Sequence, residues 1–247
     1  MTEALQTPPP IRTLGVVGDV HAEHQRLERA LNLFAAQGVD AVICTGDIAD
    51  GPGSVDTCCD LLRQAKVTTV AGNHDRWLLD DRVREIEDAH HRSDLSETSE
   101  AFLTSLGKTA SLTTCAGELL LCHGVDHNDL RKVWPGTERM PIERSHELDS
   151  IILRNQHRYV INGHLHYRVV VDFESLTLIN AGTLCGRHRP GVSIIDFAQQ
   201  TVTAYQLDDA HRDAPCVAEC AIAPDESRRI WGDTQEFDGQ WTPLTLY

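Results

Sequence analysis

Thr13-Leu14-Gly15-Val16-Val17-Gly18-Asp19-Val20-His21 is an apolar run that stops on a glycine and then delivers an acid and an imidazole. Short Val-rich runs bounded by glycine read as buried strands, so Thr13–Val17 is predicted to be a strand whose end carries the first chemical groups. The theme recurs behind four more apolar runs: Gly46-Asp47-Ile48-Ala49-Asp50, Gly72-Asn73-His74-Asp75, Cys122-His123-Gly124 and Gly163-His164-Leu165-His166. Imidazole, carboxylate and amide groups gathered at strand ends suit divalent first-row metals, and their number points to a two-metal site. In extended backbone, side chains two apart share a face, so Asp19 with His21, and His164 with His166, are each expected to share one site. The neighbours Asn73 and His74 must diverge, which suits one ligand and one catalytic group.

Outward from the first strand, Leu27, Ala30, Leu31 and Phe34 fall at helical spacing, so residues 23–37 read as an amphipathic helix ended by Gly38. A strand over 39–45, a helix over 52–65 with Pro52 near its start, and a strand over 67–71 continue a β-α-β rhythm. Such alternation implies a largely parallel sheet with its sites at the strand C-terminal ends. Residues 76–114 break the rhythm, being charge-rich with helical patches at 77–90 and 97–106. They are expected to form a helical insertion or cap that either joins the two halves or covers the site and shapes substrate choice. The second half reads as antiparallel, with strands at 118–122 and 158–161, a helix over 145–156, and hairpins over 169–178 and 192–207. Together these elements give an α/β fold, a four-layer α-β-β-α sandwich with two mixed sheets. Residues 1–12, with Pro8-Pro9-Pro10, read as an N-terminal tail, 13–207 as one domain, and 208–247 as a C-terminal extension packed on it.

The chain has 247 residues, 41% of them hydrophobic and 24% charged, which is ordinary for a globular protein with a substantial core. Its 37 acidic and 22 basic residues give a net charge of −15, which argues against a long nucleic-acid groove or an anionic membrane as partner. The first ten residues lack a basic and an apolar region, and no later run approaches membrane-spanning length, so a cytoplasmic location is expected. Of the eight cysteines, Cys44, Cys115, Cys122 and Cys185 lie in or beside strand-like runs and read as reduced, buried thiols. Oligomeric state is not written in the composition.

The five blocks, in this order, resemble the calcineurin-like metallophosphoesterases, whose pattern runs GD-x-H, GD-x-x-D, GNH-[DE], a later H and GH-x-H. Ile179-Asn180-Ala181-Gly182 and Arg187 to Gly191 are further similar to the small bacterial and archaeal phosphodiesterase branch, though Ala181 replaces a proline and Leu184-Cys185-Gly186 departs from the pattern. The resemblance implies the metallophosphoesterase sandwich for residues 13–207. It also implies that Asp19, His21, Asp47 and His166 hold one metal, and Asp47, Asn73, His123 and His164 the other, with Asp47 as the bridge. His74 would stabilise the phosphoryl charge or protonate the leaving oxygen, oriented by Asp50 or by Asp75. Arg76, Arg187 and Arg189 are candidate phosphate contacts or ordinary ion-pair arginines. Two divalent ions are the expected cofactors, manganese first, with iron, zinc or nickel also suited.

A pair of cations about 3.5–4 Å apart polarises a phosphoryl group and generates hydroxide at neutral pH. The expected activity is therefore dinuclear-metal-dependent hydrolysis of phosphate esters, by a phosphodiesterase or phosphatase acting on a small or nucleotide-like substrate. The alternatives are a protein Ser/Thr phosphatase, whose GD-x-x-D block continues Arg-Gly where this chain has Gly51-Pro52, and a catalytically idle phosphoesterase-fold scaffold.

Overall fold

The computed structural model describes residues 9–82, 84–210 and 213–246. The first eight residues of the expected N-terminal tail lie outside that set. Strands β1 (Thr13–Val17), β2 (Ala41–Cys44) and β3 (Thr68–Thr69) alternate with helices α1 (His24–Gln37) and α2 (Val55–Gln64). The three strands are parallel, with Leu14 opposite Ala41 and Ile43 opposite Thr68. Gly38 ends α1 in the left-handed conformation at φ 64°, and the Ser54 hydroxyl caps α2 by accepting the Thr57 amide at 3.1 Å. Helix α3 (Asn73–Leu79) starts within the third block itself, and α4 (Glu97–Ser105) follows.

The second sheet is built from β4 (Thr109–Thr114), β5 (Gly117–Cys122), β6 (Tyr159–Asn162), β7 (Arg168–Phe173) and β8 (Thr177–Ala181), with α5 (His146–Arg154) between β5 and β6. The chain then returns to the first sheet. β9 (Gly191–Asp196) pairs antiparallel with β1, β10 (Thr201–Gln206) with β9, and β11 (Cys216–Ala221) with β10. Two short strands, β12 (Ile230–Trp231) and β13 (Leu244–Thr245), both pair with β7. The sheet orders are β11-β10-β9-β1-β2-β3 and β12-β7-β8-β6-β5-β4.

Alternation along β1 explains the layering. Leu14 and Val16 point into a core shared with Leu119, Leu121, Ile161 and Ile179 of the facing sheet. Val17 points the other way, into the cluster formed by Leu27, Ala30 and Phe34 of α1 and Leu62 of α2. A third cluster covers the outer face of the second sheet, where Leu148 and Ile151 of α5 join Trp134, Trp231 and Phe237. The result is the expected α-β-β-α sandwich with two mixed sheets, whose central strands are buried on both faces.

Several local expectations are corrected. The second half is not simply antiparallel: β6 runs parallel to β5 because the α5 crossover returns the chain to the same end of the sheet, and β8 runs parallel to β6 because the intervening β7 carries the chain back antiparallel to β8. Residues 76–114 are not wholly helical, since β4 closes the segment and pairs antiparallel with β5. The helix expected at 77–90 is instead α3, which stops at Leu79. Cys115 is exposed, and all eight cysteines are free thiols. Among the described residues no helix is long and apolar enough to cross a membrane.

Candidate active site

The loops after β1, β2, β3, β5 and β6 meet at one edge of the sandwich. They bring Asp19, His21, Asp47, Asn73 and His123 together as buried polar groups, with His164 and His166 partly exposed at the rim. Two triads result, Asp19 with His21 and His166, and Asp47 with His123 and His164, the donor atoms of each lying within 4.8 Å of one another. His164 and His166 thus separate into different triads instead of sharing one. The extended geometry assumed for them fails because both adopt left-handed backbone, at φ 67° and 61°. His21, Asp47 and Asp50 are also left-handed, at φ 47°, 46° and 64°, and such strain in non-glycine residues persists where the surrounding structure enforces it.

Two glycines are dictated by close approach. A Cβ on Gly72 would strike Asp47 Oδ1, and one on Gly163 would strike Asp19 Oδ1 and lie 2.5 Å from Thr45 Oγ1. The glycines of the third and fifth blocks therefore make room for the carboxylates of the second and first.

In the first triad, His21 Nδ1 donates to the Asp50 carbonyl at 2.9 Å, so its Nε2 carries a lone pair when the ring is neutral. That Nε2 faces His166 Nε2 at 3.0 Å, which in turn lies 3.2 Å from Asp19 Oδ2. In the second triad, His123 Nδ1 donates to the Thr45 carbonyl at 2.8 Å, leaving Nε2 directed at Asp47 Oδ2, 3.2 Å away. One terminal atom of the Asn73 amide lies 3.1 Å from His123 Nε2 and 3.0 Å from His164 Nδ1. With its oxygen there, three acceptors converge; with its nitrogen there, the amide satisfies both rings. Which way Asn73 faces therefore depends on whether a cation stands between them.

The electrostatics carry the same demand. Burial opposes charge on His123, yet Asp47 and Asp19 beside it push the imidazole up to about 10. Burial raises Asp47, but His123 outweighs it and holds the carboxyl well below the usual range. Burial and the neighbouring His123 bring His164 down to about 4, and burial keeps His21 below its ordinary value. Two buried carboxylates thus call for positive charge beside them, which a proton on His123 supplies when no cation is bound, and the donor set fits divalent cations.

His74 stands beside the first triad, its ring edge-on to His21 at a centroid distance of 5.1 Å. Its Nδ1 donates to Asp50 Oδ2 at 2.6 Å, and its backbone amide donates to Asp47 Oδ1 at 2.8 Å. Burial opposes charge on His74, but the Asp50 hydrogen bond and the Asp47 charge raise it above the ordinary imidazole value. Asp75, the competing orienter, faces away. Its Oδ1 accepts the Ile48 and Ala49 amides at 2.7 and 3.0 Å, and its Oδ2 accepts Gly72 N–H at 2.9 Å, so it staples the second block to the third.

Arg76 forks onto Asp129 at 2.6 and 3.0 Å, and Arg187 pairs with Asp88 at 2.6 Å. Arg187 also lines, with Leu165, Tyr167 and His188, a cavity of about 410 Å³ that opens beside His164 and His166. Sequence reasoning did not single out Arg84, His90, Asp129 or His188. The first two bind Asp50, and His188 packs on His166 at a centroid distance of 4.9 Å. Arg84, His90 and Asp129 sit in no glycine-bounded block, so no local signal marks them, while His188 lies within the Arg187 to Gly191 stretch, whose resemblance did not single it out.

A family model described as the calcineurin-like phosphoesterase superfamily domain matches residues 13–200. The chain is 41% identical over 71 residues to the serine/threonine-protein phosphatase 2 of Escherichia coli, a match covering 28% of this chain and 32% of that protein. It spans less than a third of the length of the curated relatives it matches. Among solved structures, the phosphoesterase Yfce of E. coli superposes with a TM-score of 0.53 at 20% identity, covering 85% of this chain and all (100%) of that one. A structure described as a novel archaeal phosphodiesterase superposes with a TM-score of 0.52 at 18% identity, covering 79% and 99%.

Proposed function

Since this chain belongs to the calcineurin-like phosphoesterase superfamily, we propose that it hydrolyses phosphate esters of small or nucleotide-like molecules at two divalent cations, manganese first, held by its two triads. The observation that carries this is the convergence of imidazole nitrogens and buried carboxylates in two adjacent groups, whose acids need positive charge between them, from protons or from cations. Asp19, His21, Asp47 and His166 would hold one cation, and Asp47, Asn73, His123 and His164 the other. Asp47 would serve both, because a carboxylate can span two cations while offsetting part of their shared charge. Bound there, such ions supply Lewis acidity toward phosphoryl oxygens and lower the pKa of water.

The chain's own groups do the rest. Thr45 and Asp50 carbonyls fix which nitrogens of His123 and His21 face inward. Asp50 holds His74 by Nδ1, so that Nε2, when it too carries a proton, is the nitrogen that donates to the phosphoryl or leaving oxygen. The cavity beside His164 and His166 accommodates the remainder of the substrate against Tyr167, Leu165 and Arg187.

The test is metal-reconstituted protein assayed on phosphate monoesters, diesters, nucleotides and a phosphopeptide, with bound metal counted. Two ions per chain and turnover that disappears on chelation are expected, with diesters or small monoesters preferred. Undiminished turnover in rigorously metal-free protein overturns the metal chemistry. Two bound ions with no turnover on any ester would identify an idle scaffold, and preference for the phosphopeptide a protein phosphatase.

A further inference from the structure

We infer that Arg84 is a positioning residue for the phosphoester reaction, its guanidinium fork fixing the Asp50 carboxylate so that His74 presents Nε2 to the substrate. This rests on the role of His74 given above. Arg84 comes from the charge-rich stretch between α3 and α4, far from every glycine-bounded block, yet its side chain is only 10% exposed. Nε donates to Asp50 Oδ2 at 2.6 Å, while Nη2 donates to Asp50 Oδ1 and, at 3.0 Å, to the His90 carbonyl. Each carboxylate oxygen has a second donor: Oδ1 takes the His90 amide at 2.9 Å, and Oδ2 takes His74 Nδ1 at 2.6 Å.

Four donors fill the roughly four lone-pair sites of a carboxylate. No acceptor site remains for a proton, so Asp50 can only accept, and His74 can only donate through Nδ1. With Nδ1 committed to Asp50, the nitrogen left to face the substrate is Nε2. Without Arg84, a buried carboxylate with fewer donors is free to rotate or to take a proton, and the ring loses its fixed orientation.

A plain structural role, holding residues 84–90 against the second block, does not require the arginine. Gly51 N–H donates to the Asp88 carbonyl at 3.1 Å, Asp50 N–H to His90 Nδ1 at 3.2 Å, and Arg187 pairs with Asp88 at 2.6 Å. The segment therefore stays attached by three links that leave the Asp50 carboxylate alone. The fork is what adds orientation.

Arg84→Gln and Arg84→Lys should be compared with Arg92→Gln, whose arginine pairs at the surface with Glu100 and the Leu79 carbonyl. Two readouts are needed: kcat and KM on aryl phosphate esters with good and poor leaving groups, and the ¹⁵N signals of the His74 ring in metal-free protein. Arg84→Gln is expected to lower kcat on poor leaving groups about 10–100-fold, with KM within about threefold and a smaller loss on good leaving groups. Recorded at a pH where the ring is neutral, His74 should change from a single Nδ1–H tautomer to a mixture. Arg84→Lys should recover part of both, since an ammonium supplies charge without the fork, and it carries the test if the glutamine variant fails to fold. Wild-type kcat on poor leaving groups with an unchanged His74 ring would overturn the inference. So would a loss shared equally by good and poor leaving groups and accompanied by a lowered melting temperature. If the wild-type chain hydrolyses no phosphate ester, the proposed function fails, and the ring signals alone still decide whether Arg84 fixes His74.

Discussion

Asp47 serves two neighbours at once, accepting the His74 amide through Oδ1 at 2.8 Å and facing His123 Nε2 through Oδ2 at 3.2 Å. Asp47→Asn keeps the shape and removes the anion, so both cations are expected to bind less tightly. Turnover should fall by more than about 100-fold, beyond the 10–100-fold typical of groups that only support a ligand, and metal counting after dialysis checks it. His74→Ala should keep the metal and lose about 10²–10⁴ in rate, with a smaller loss on esters with good leaving groups if His74 is the proton donor. Wild-type rates on all esters would make its imidazole merely structural. At this scale, what could be read in the sequence was whatever a glycine announces. Asp19, Asp47, Asn73 and His164 stand next to glycines that close packing requires, whereas Arg84 and His90 reach Asp50 through a stretch with no periodicity to place it.

The loop that follows β5 is held by the first turn of α5. Glu147 accepts from Asn128 Nδ2 at 2.9 Å and Arg131 Nη2 at 3.2 Å through Oε1, and from Ser145 Oγ at 2.9 Å through Oε2. Burial opposes its charge, but the Asn128, Ser145 and Arg131 hydrogen bonds hold the carboxyl at about 2, against an ordinary value of 4.5. For an acid depressed by folding, the stabilisation is complete above its unfolded value and is lost as pH falls toward the folded one. Glu147→Gln should therefore lower the melting temperature at neutral pH, with the difference from wild type shrinking as pH falls from about 4.5 and vanishing near 2. A difference independent of pH would mean the carboxylate charge is not involved. The strands flanking these loops were legible from Val- and Leu-rich runs, and α1 from its spacing. β4 was not, because Thr109–Thr114 is half-exposed and polar and takes its strand geometry from β5. Nor was the parallel course of β5, β6 and β8, since strand direction depends on what lies between the strands in three dimensions, α5 before β6 and β7 before β8.

Taken whole, the molecule draws each triad from both sheets: Asp19 and His21 follow β1 and Asp47 follows β2, while His123, His164 and His166 follow β5 and β6. Cation binding should therefore stabilise the sandwich as a unit. Manganese at about 100 times its dissociation constant should add about 2.7 kcal/mol per site and raise a single melting transition, where separate transitions for the two sheets would show that the cations do not brace them. With 37 acidic and 22 basic residues, the chain carries a net charge of −15 that disfavours binding to a long polyanion. Inhibition of small-ester hydrolysis by duplex DNA or RNA is expected to change little between 50 and 200 mM salt, against the about 10³–10⁵-fold expected for a protein making 6–10 phosphate contacts. Steep competition would reveal a nuclease. The return of β9 to pair with β1 has a consequence in time. During synthesis the ribosome releases Asp19 and His21 early, yet their strand gains its second neighbour only once residues 191–196 have emerged, and His166 itself arrives late. A nascent chain therefore displays unclosed half-sites until His166 and the strand that pairs with β1 have followed Asp19 and His21 out of the ribosome.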